Sequence, residues 1–119
     1  TLLLPCATTA TAPKGGRNGR AVSTTRDLGA MWQVHPADHG ALPEPVCMAS
    51  LISHRLSGGR AVLLFSNPHD RHHRRNITIQ ASFDNGATWP HRLLLDDGAG
   101  FGYSSLAMVD DGTVGILYE

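Results

Sequence analysis

Two eight-residue segments of this 119-residue chain follow one pattern, hydroxyl-x-Asp-x-Gly-x-x-Trp. They are Thr25-Arg26-Asp27-Leu28-Gly29-Ala30-Met31-Trp32 and Ser82-Phe83-Asp84-Asn85-Gly86-Ala87-Thr88-Trp89, with their Asp residues 57 positions apart. A second pair keeps nearly the same interval. Ala49-Ser50-Leu51 precedes Val62-Leu63-Leu64, Ser104-Ser105-Leu106 precedes Val114-Gly115-Ile116, and Ser50 and Ser105 are 55 apart. A repeat of that length holding about four short strands has the size of one propeller blade, somewhat above the ~40–45 residues of a WD40 repeat. A single blade leaves its faces uncovered, and about 4–8 blades surround a channel in a closed ring. Two units therefore predict part of a ring.

The remaining pattern predicts strands and turns. Ile77, Ile79, Ala81 and Phe83 alternate within the stretch His69 to Asn85, which predicts a strand with those residues on its buried face. Arg20 to Thr25, Met48 to Ser53, Ala61 to Ser66, Ser104 to Val109 and Val114 to Tyr118 predict further strands. Turn signals fall at Asn18-Gly19, Ser57-Gly58-Gly59, Asn85-Gly86, Asp97-Gly98 and Asp111-Gly112. No segment of useful length carries the 3.6-residue period of a helix. The expected class is all-β. Leu2-Leu3-Leu4 directly after Thr1 reads as a strand already in progress, and Tyr118-Glu119 follows the apolar Val114 to Leu117 at once. Both ends are thus expected to cut through folded structure, and the first residues do not form a signal peptide.

The eight-residue pattern has a mechanical reading. An Asp carboxylate can accept nearby backbone N–H bonds, Gly admits positive φ, a hydroxyl adds a local bond and Trp covers the turn. Asp27 and Asp84 are therefore expected to be structural, and each lacks the further acidic residues of a calcium loop. Lys+Arg 10 against Asp+Glu 10 give zero net charge, with no electrostatic footprint for nucleic acid or anionic lipid. No apolar run approaches the roughly 20 residues of a membrane-spanning helix. Cys6 and Cys47 fit small buried residues better than a bridge. His69-Asp70-Arg71-His72-His73 invites a metal reading, but neighbouring strand residues face opposite ways, so a solvated loop is expected and no metal. Asn76-Ile77-Thr78 fits a glycosylation sequon.

Five further segments run in one order: Leu42-Pro43-Glu44-Pro45-Val46-Cys47-Met48-Ala49-Ser50-Leu51, Leu64-Phe65-Ser66-Asn67-Pro68, Arg74-Arg75-Asn76-Ile77-Thr78, Gly102-Tyr103-Ser104-Ser105-Leu106 and Ile116-Leu117-Tyr118-Glu119. With the two Asp patterns, which resemble the Asp boxes of sialidases, they resemble the C-terminal half of a retaining exo-α-sialidase catalytic domain of the bacterial and lysosomal type. The resemblance implies about two blades of a six-bladed β-propeller across residues 1–119, with Asp boxes at 25–32 and 82–89. It implies hydrolysis of terminal α-ketosidic sialic acid from glycoproteins, glycolipids and oligosaccharides, no cofactor, and a secreted, periplasmic or lysosomal setting.

The resemblance also assigns roles. Sialic acid carries a carboxylate on its anomeric carbon, which would repel an anionic nucleophile, whereas a phenol activated by a base avoids that repulsion. Tyr103 takes the nucleophile's position. Arg74 takes that of the third arginine of a carboxylate clamp, whose planar fork suits bidentate binding. Arg75 is the adjacent register and ranks second, since alternation groups it with Ile77 and Ile79, and Arg74 with Asn76 and Thr78. Glu119 takes the position of a glutamate that holds the first clamp arginine. Glu44, between two prolines, is expected to be structural.

One position departs from the family. Ala7 stands where the second clamp arginine belongs, and Arg17 and Arg20 could replace it only in a shifted register. The first arginine, the acid/base Asp and the Glu that activates the tyrosine are expected before Thr1, so these 119 residues alone are expected to be inactive. The rival expectation is a sialidase-like propeller that binds glycans without catalysis; a third is an unrelated Asp-box propeller that binds proteins.

Overall fold

The structure is a computed structural model that describes the backbone of residues 2–6 and all of residues 18–119. Ala7, Arg17 and the Cys6 side chain lie outside the described residues. Every regular element described is a strand: β1 (Leu2–Cys6), β2 (Ala21–Thr25), β3 (Gln33–Val34), β4 (Ser50–Arg55), β5 (Ala61–Pro68), β6 (Arg75–Ser82), β7 (His91–Ala99), β8 (Ser104–Asp110) and β9 (Thr113–Tyr118). They form three antiparallel sheets in the orders β1-β2-β3, β4-β5-β6-β7 and β8-β9. Within each sheet the strands pair in sequence order, the up-and-down meander of a propeller blade. The chain is all-β, one four-stranded blade with parts of a blade on either side. No helix among the described residues is long and apolar enough to cross a membrane.

The first two sheets are joined by the segment between β3 and β4. Arg20 N–H donates to the Leu42 carbonyl at 2.8 Å, and Val22 N–H donates to the Asp38 carboxylate at 2.7 Å. Leu42 then packs with Phe65 and Trp89 in a buried cluster, with Ala41, Ala49, Leu51 and Leu63 against it. The third sheet docks through β8 on β4 and β5 of the second. The Leu106 N–H donates to Ser50 Oγ at 3.0 Å, and the hydroxyls of Ser66 and Ser104 lie 2.8 Å apart.

Three expectations need correction. Ile77 is buried as expected, at 4% exposure, but beyond it the buried face of β6 is Thr78, Gln80 and Ser82, at 3%, 0% and 0%, while Ile79, Ala81 and Phe83 are half-buried. Those polar residues tolerate burial because they have partners: the Gln80 amide donates to Asn67 Oδ1 at 3.2 Å, and Asn67 donates to the Pro43 carbonyl at 2.7 Å. Alternation identified an apolar face; from Thr78 onward packing buried the opposite one. Secondly, β7 carried no usable signal and was not expected. Almost all of its residues are exposed, so selection for a period of two is weak there. Finally, Asp97-Gly98 is not an inter-strand turn but lies inside β7, where Asp96 accepts the Gly98 N–H at 2.7 Å beside shifts in the β6–β7 register.

Candidate functional site

The residues singled out for chemistry converge at one end of the second and third sheets. β6 begins at Arg75, so Arg74 lies just before the strand rather than within it. Asn76 has φ 60°, and the β6–β7 ladder shifts register on both sides of Ile77. The alternation used to rank Arg74 over Arg75 therefore does not extend through residues 74–78. Their partners separate them instead. Arg75 Nε donates to Asp70 at 2.7 Å on the surface, whereas the Arg74 guanidinium turns toward the loop from β7 to β8.

There the fork is held by two carbonyls. Arg74 Nη1 donates to Phe101 O at 3.1 Å and Nη2 to Val46 O at 3.0 Å. Its Cζ stands 5.3 Å from the centroid of the Tyr103 ring. A guanidinium at that range is attracted to an aromatic ring by about 0.5–1 kcal/mol at an exposed site. Backbone bonds join the three neighbouring segments. Gly100 N–H donates to Arg74 O at 3.0 Å, Gly102 N–H to Glu119 O at 3.1 Å, and Glu119 N–H to Tyr103 O at 3.1 Å. Tyr103 and Glu119 line an open cavity of about 250 Å³ together with Ser104, Ser105, Leu117 and Tyr118.

Gly102 is the residue that lets these parts close on one another. Its φ is +85°, and a Cβ there would meet Pro68 at 2.8 Å, Cys47 Sγ at 3.1 Å and Arg74 Cβ at 3.3 Å. A larger residue at this position would have to displace Pro68, Cys47 or the base of Arg74. Cys47 is a buried free thiol that donates to Gly102 O at 3.2 Å. Burial pushes its pKa up more than Arg74 and Arg20 pull it down, which keeps the thiol protonated and able to donate.

Other expectations resolve differently. Arg20 is 2% exposed and paired with Glu44 at 2.9 Å, so it cannot present its guanidinium to a solvent-filled pocket. The His69–His73 segment is more organised than a solvated loop. Asp70 accepts the N–H groups of His72 and His73, which together with Arg75 hold its carboxyl well below the usual carboxylate range. Arg71 donates to the Asn18 carbonyl, and the Asn18 amide returns a bond to Arg71 O at 2.6 Å. Among the described residues no group of three His, Cys, Asp or Glu is arranged to hold a metal ion. Sequence reasoning passed over the Glu44–Cys47 turn and Gly102 as shapers of the site. Pro43-Glu44-Pro45 was the available signal, a charged residue whose backbone is fixed on both sides.

Comparison with known proteins places the chain in a family. The model of the BNR repeat-like domain matches residues 9–116. A sialidase of Bacteroides fragilis (strain YCH46) is 50% identical over 111 residues, which is 89% of this chain and 20% of that protein. A sialidase of Micromonospora viridifaciens is 40% identical over 83 residues, 66% of this chain and 13% of that protein. Among solved structures, the Hadza microbial sialidase Hz136 superposes with a TM-score of 0.82 at 54% identity, over 86% of this chain and 20% of its own. The chain thus spans a fifth or less of the relatives it matches. With the antiparallel meanders and the two turn repeats, these likenesses show that the chain belongs to the BNR repeat-like domain family, as part of a sialidase-type propeller.

Proposed function

We propose that residues 1–119 form part of the catalytic propeller of an exo-α-sialidase, with Asp boxes at 25–32 and 82–89. The protein carrying this chain hydrolyses terminal α-ketosidic sialic acid from glycoconjugates with retention of configuration. In this reading Arg74 grips the substrate carboxylate. The Tyr103 oxygen attacks the anomeric carbon as the bond to the leaving glycan oxygen breaks, and water then displaces the tyrosine. Glu119 holds another arginine of the clamp. A fixed fork beside a phenol suits this substrate because its carboxylate and reacting carbon are directly bonded, so both must be met within one small pocket. The observation that carries the reading is the 5.3 Å approach of the Arg74 guanidinium to the Tyr103 ring, beside the open cavity that Tyr103 and Glu119 line.

A second reading is a propeller that binds sialylated glycans without turnover, which Ala7 favours by leaving the clamp one cation short. Turnover of a fluorogenic sialoside by the protein carrying this chain, with Tyr103→Phe beside it, separates the two. Loss of about 100-fold or more in kcat for Tyr103→Phe is expected for the enzyme. Equal activity of both proteins removes Tyr103 as nucleophile, and tight binding without turnover in the parent favours the glycan binder.

A further inference from the structure

We propose that Glu44, braced by Arg20, is a positioning residue that fixes the Val46 carbonyl and through it the Arg74 guanidinium; this rests on the proposed sialidase reading. Glu44 is 0% exposed, and the expectation from sequence was a structural place rather than a role in positioning the clamp. One carboxylate oxygen accepts the Val46 N–H at 3.1 Å and the other accepts the Cys47 N–H at 3.2 Å. Arg20 closes the unit from the other side. Its Nη2 lies 2.9 Å from Glu44 Oε2 and donates to the Cys47 carbonyl at 3.0 Å. The buried pair therefore grips both ends of one peptide turn.

That grip has a conformational consequence. Val46 has φ 57°, a region that a β-branched residue avoids because its Cβ crowds the backbone. Such a conformation persists only where surrounding bonds over-determine it. In it, the Val46 carbonyl accepts Arg74 Nη2 at 3.0 Å. The Phe101 carbonyl holds the other arm, and the Cys47 thiol, next along the gripped turn, donates to Gly102 O just before Tyr103. A buried ion pair thus aims a strained carbonyl, and the carbonyl aims the fork. Tyr103 is tied to the same turn through Gly102.

The test measures KM and kcat for a fluorogenic sialoside with the protein carrying this chain. Glu44→Gln removes the charge and puts an NH2 donor where one of the two carboxylate oxygens accepted a backbone N–H, so one of those two bonds is lost. Val46→Pro leaves the ion pair intact but removes the Val46 N–H and sets φ near −65°, turning the carbonyl off Arg74. Each is expected to raise KM about tenfold or more, with a smaller change in kcat. In the Glu44→Gln background, Val46→Gly is expected to bring KM back toward wild type, because glycine adopts positive φ without the Cβ penalty. A purely structural Glu44 predicts a lower Tm and less active protein at unchanged KM. KM within about twofold of wild type in either folded single variant, or no recovery in the double variant, overturns the proposal. Arg74→Lys run alongside separates the failures: unchanged KM there removes the clamp itself, whereas a raised KM only there removes the lever and leaves the clamp.

Discussion

The two Asp turns have the same hydrogen-bond plan and different fates for their tryptophans. In the first, Thr25 Oγ1 donates to Asp27 at 2.7 Å and accepts the Gly29 N–H at 2.9 Å, while Asp27 accepts the Met31 N–H at 2.9 Å. In the second, Ser82, Asp84, Gly86 and Thr88 repeat those bonds at 2.7, 2.9 and 2.9 Å. Trp32 is 44% exposed, but Trp89 is 4% exposed and donates its indole N–H to Gly86 O at 3.0 Å. The turn geometry is therefore written locally, in eight residues, and the burial of its aromatic lid is not. Trp89 meets Phe65 with centroids 5.7 Å apart, in the cluster with Leu42, and leads into the nine-residue β7. Trp32 leads into β3, which has two residues.

The largest effect expected from this contrast is on stability. Trp89→Ala removes a buried ring from the only described cluster of fully buried apolar residues and is expected to destabilise by about 3–5 kcal/mol. Trp32→Ala is expected to lose less within residues 1–119, where the ring is 44% exposed. Urea unfolding of both variants measures the gap, and equal losses would mean that the two lids share one role.

A smaller effect separates the carboxylates with pH. The Thr88 hydroxyl first, then the Thr88 N–H and the Ser82 hydroxyl, lower the Asp84 pKa to about 2 from 3.8. Asp27 is lowered too, by the Met31 N–H first and the Thr25 hydroxyl second, without a hydroxyl at position 31. Folded values below unfolded ones mean stability that is present above the unfolded pKa and lost as pH falls through the folded one. Asp84→Asn is therefore expected to flatten the acid limb of the stability profile from about pH 5 down to about 2, more than Asp27→Asn does. Denaturation midpoints across that range measure it, and equal flattening would assign the depression to the shared backbone bonds. The smallest expected effect belongs to Met31→Thr, which gives the first turn the hydroxyl that Thr88 supplies in the second. It should raise Tm slightly; a fall would show that the Met31 side chain has a use of its own.

The same division between local and distant causes runs through the candidate site. Arg74, Tyr103 and Glu119 could be proposed from the sequence because each sits in a short segment with a distinctive order of residues. The preference for Arg74 over Arg75 has a different basis from the expected one, because Asn76 and the register shifts interrupt alternation where it was applied. The Glu44–Arg20 pair joins positions 24 apart, and neither residue's spacing announces the other. Nor did exposed β7 leave a pattern, since a strand without a buried face is under no pressure to alternate.

By itself the sequence determined the all-β class, the repeat length and the chemistry of the turns, because glycine φ, Asp–amide bonds and strand periodicity act within a few residues. Only the tertiary structure decided which face of β6 is buried, which tryptophan enters the core and which arginine reaches the phenol. Those outcomes depend on partners distant in the chain, such as Asn67 for Gln80, Leu42 for Trp89 or Val46 for Arg74, and burial is a property of what surrounds a residue.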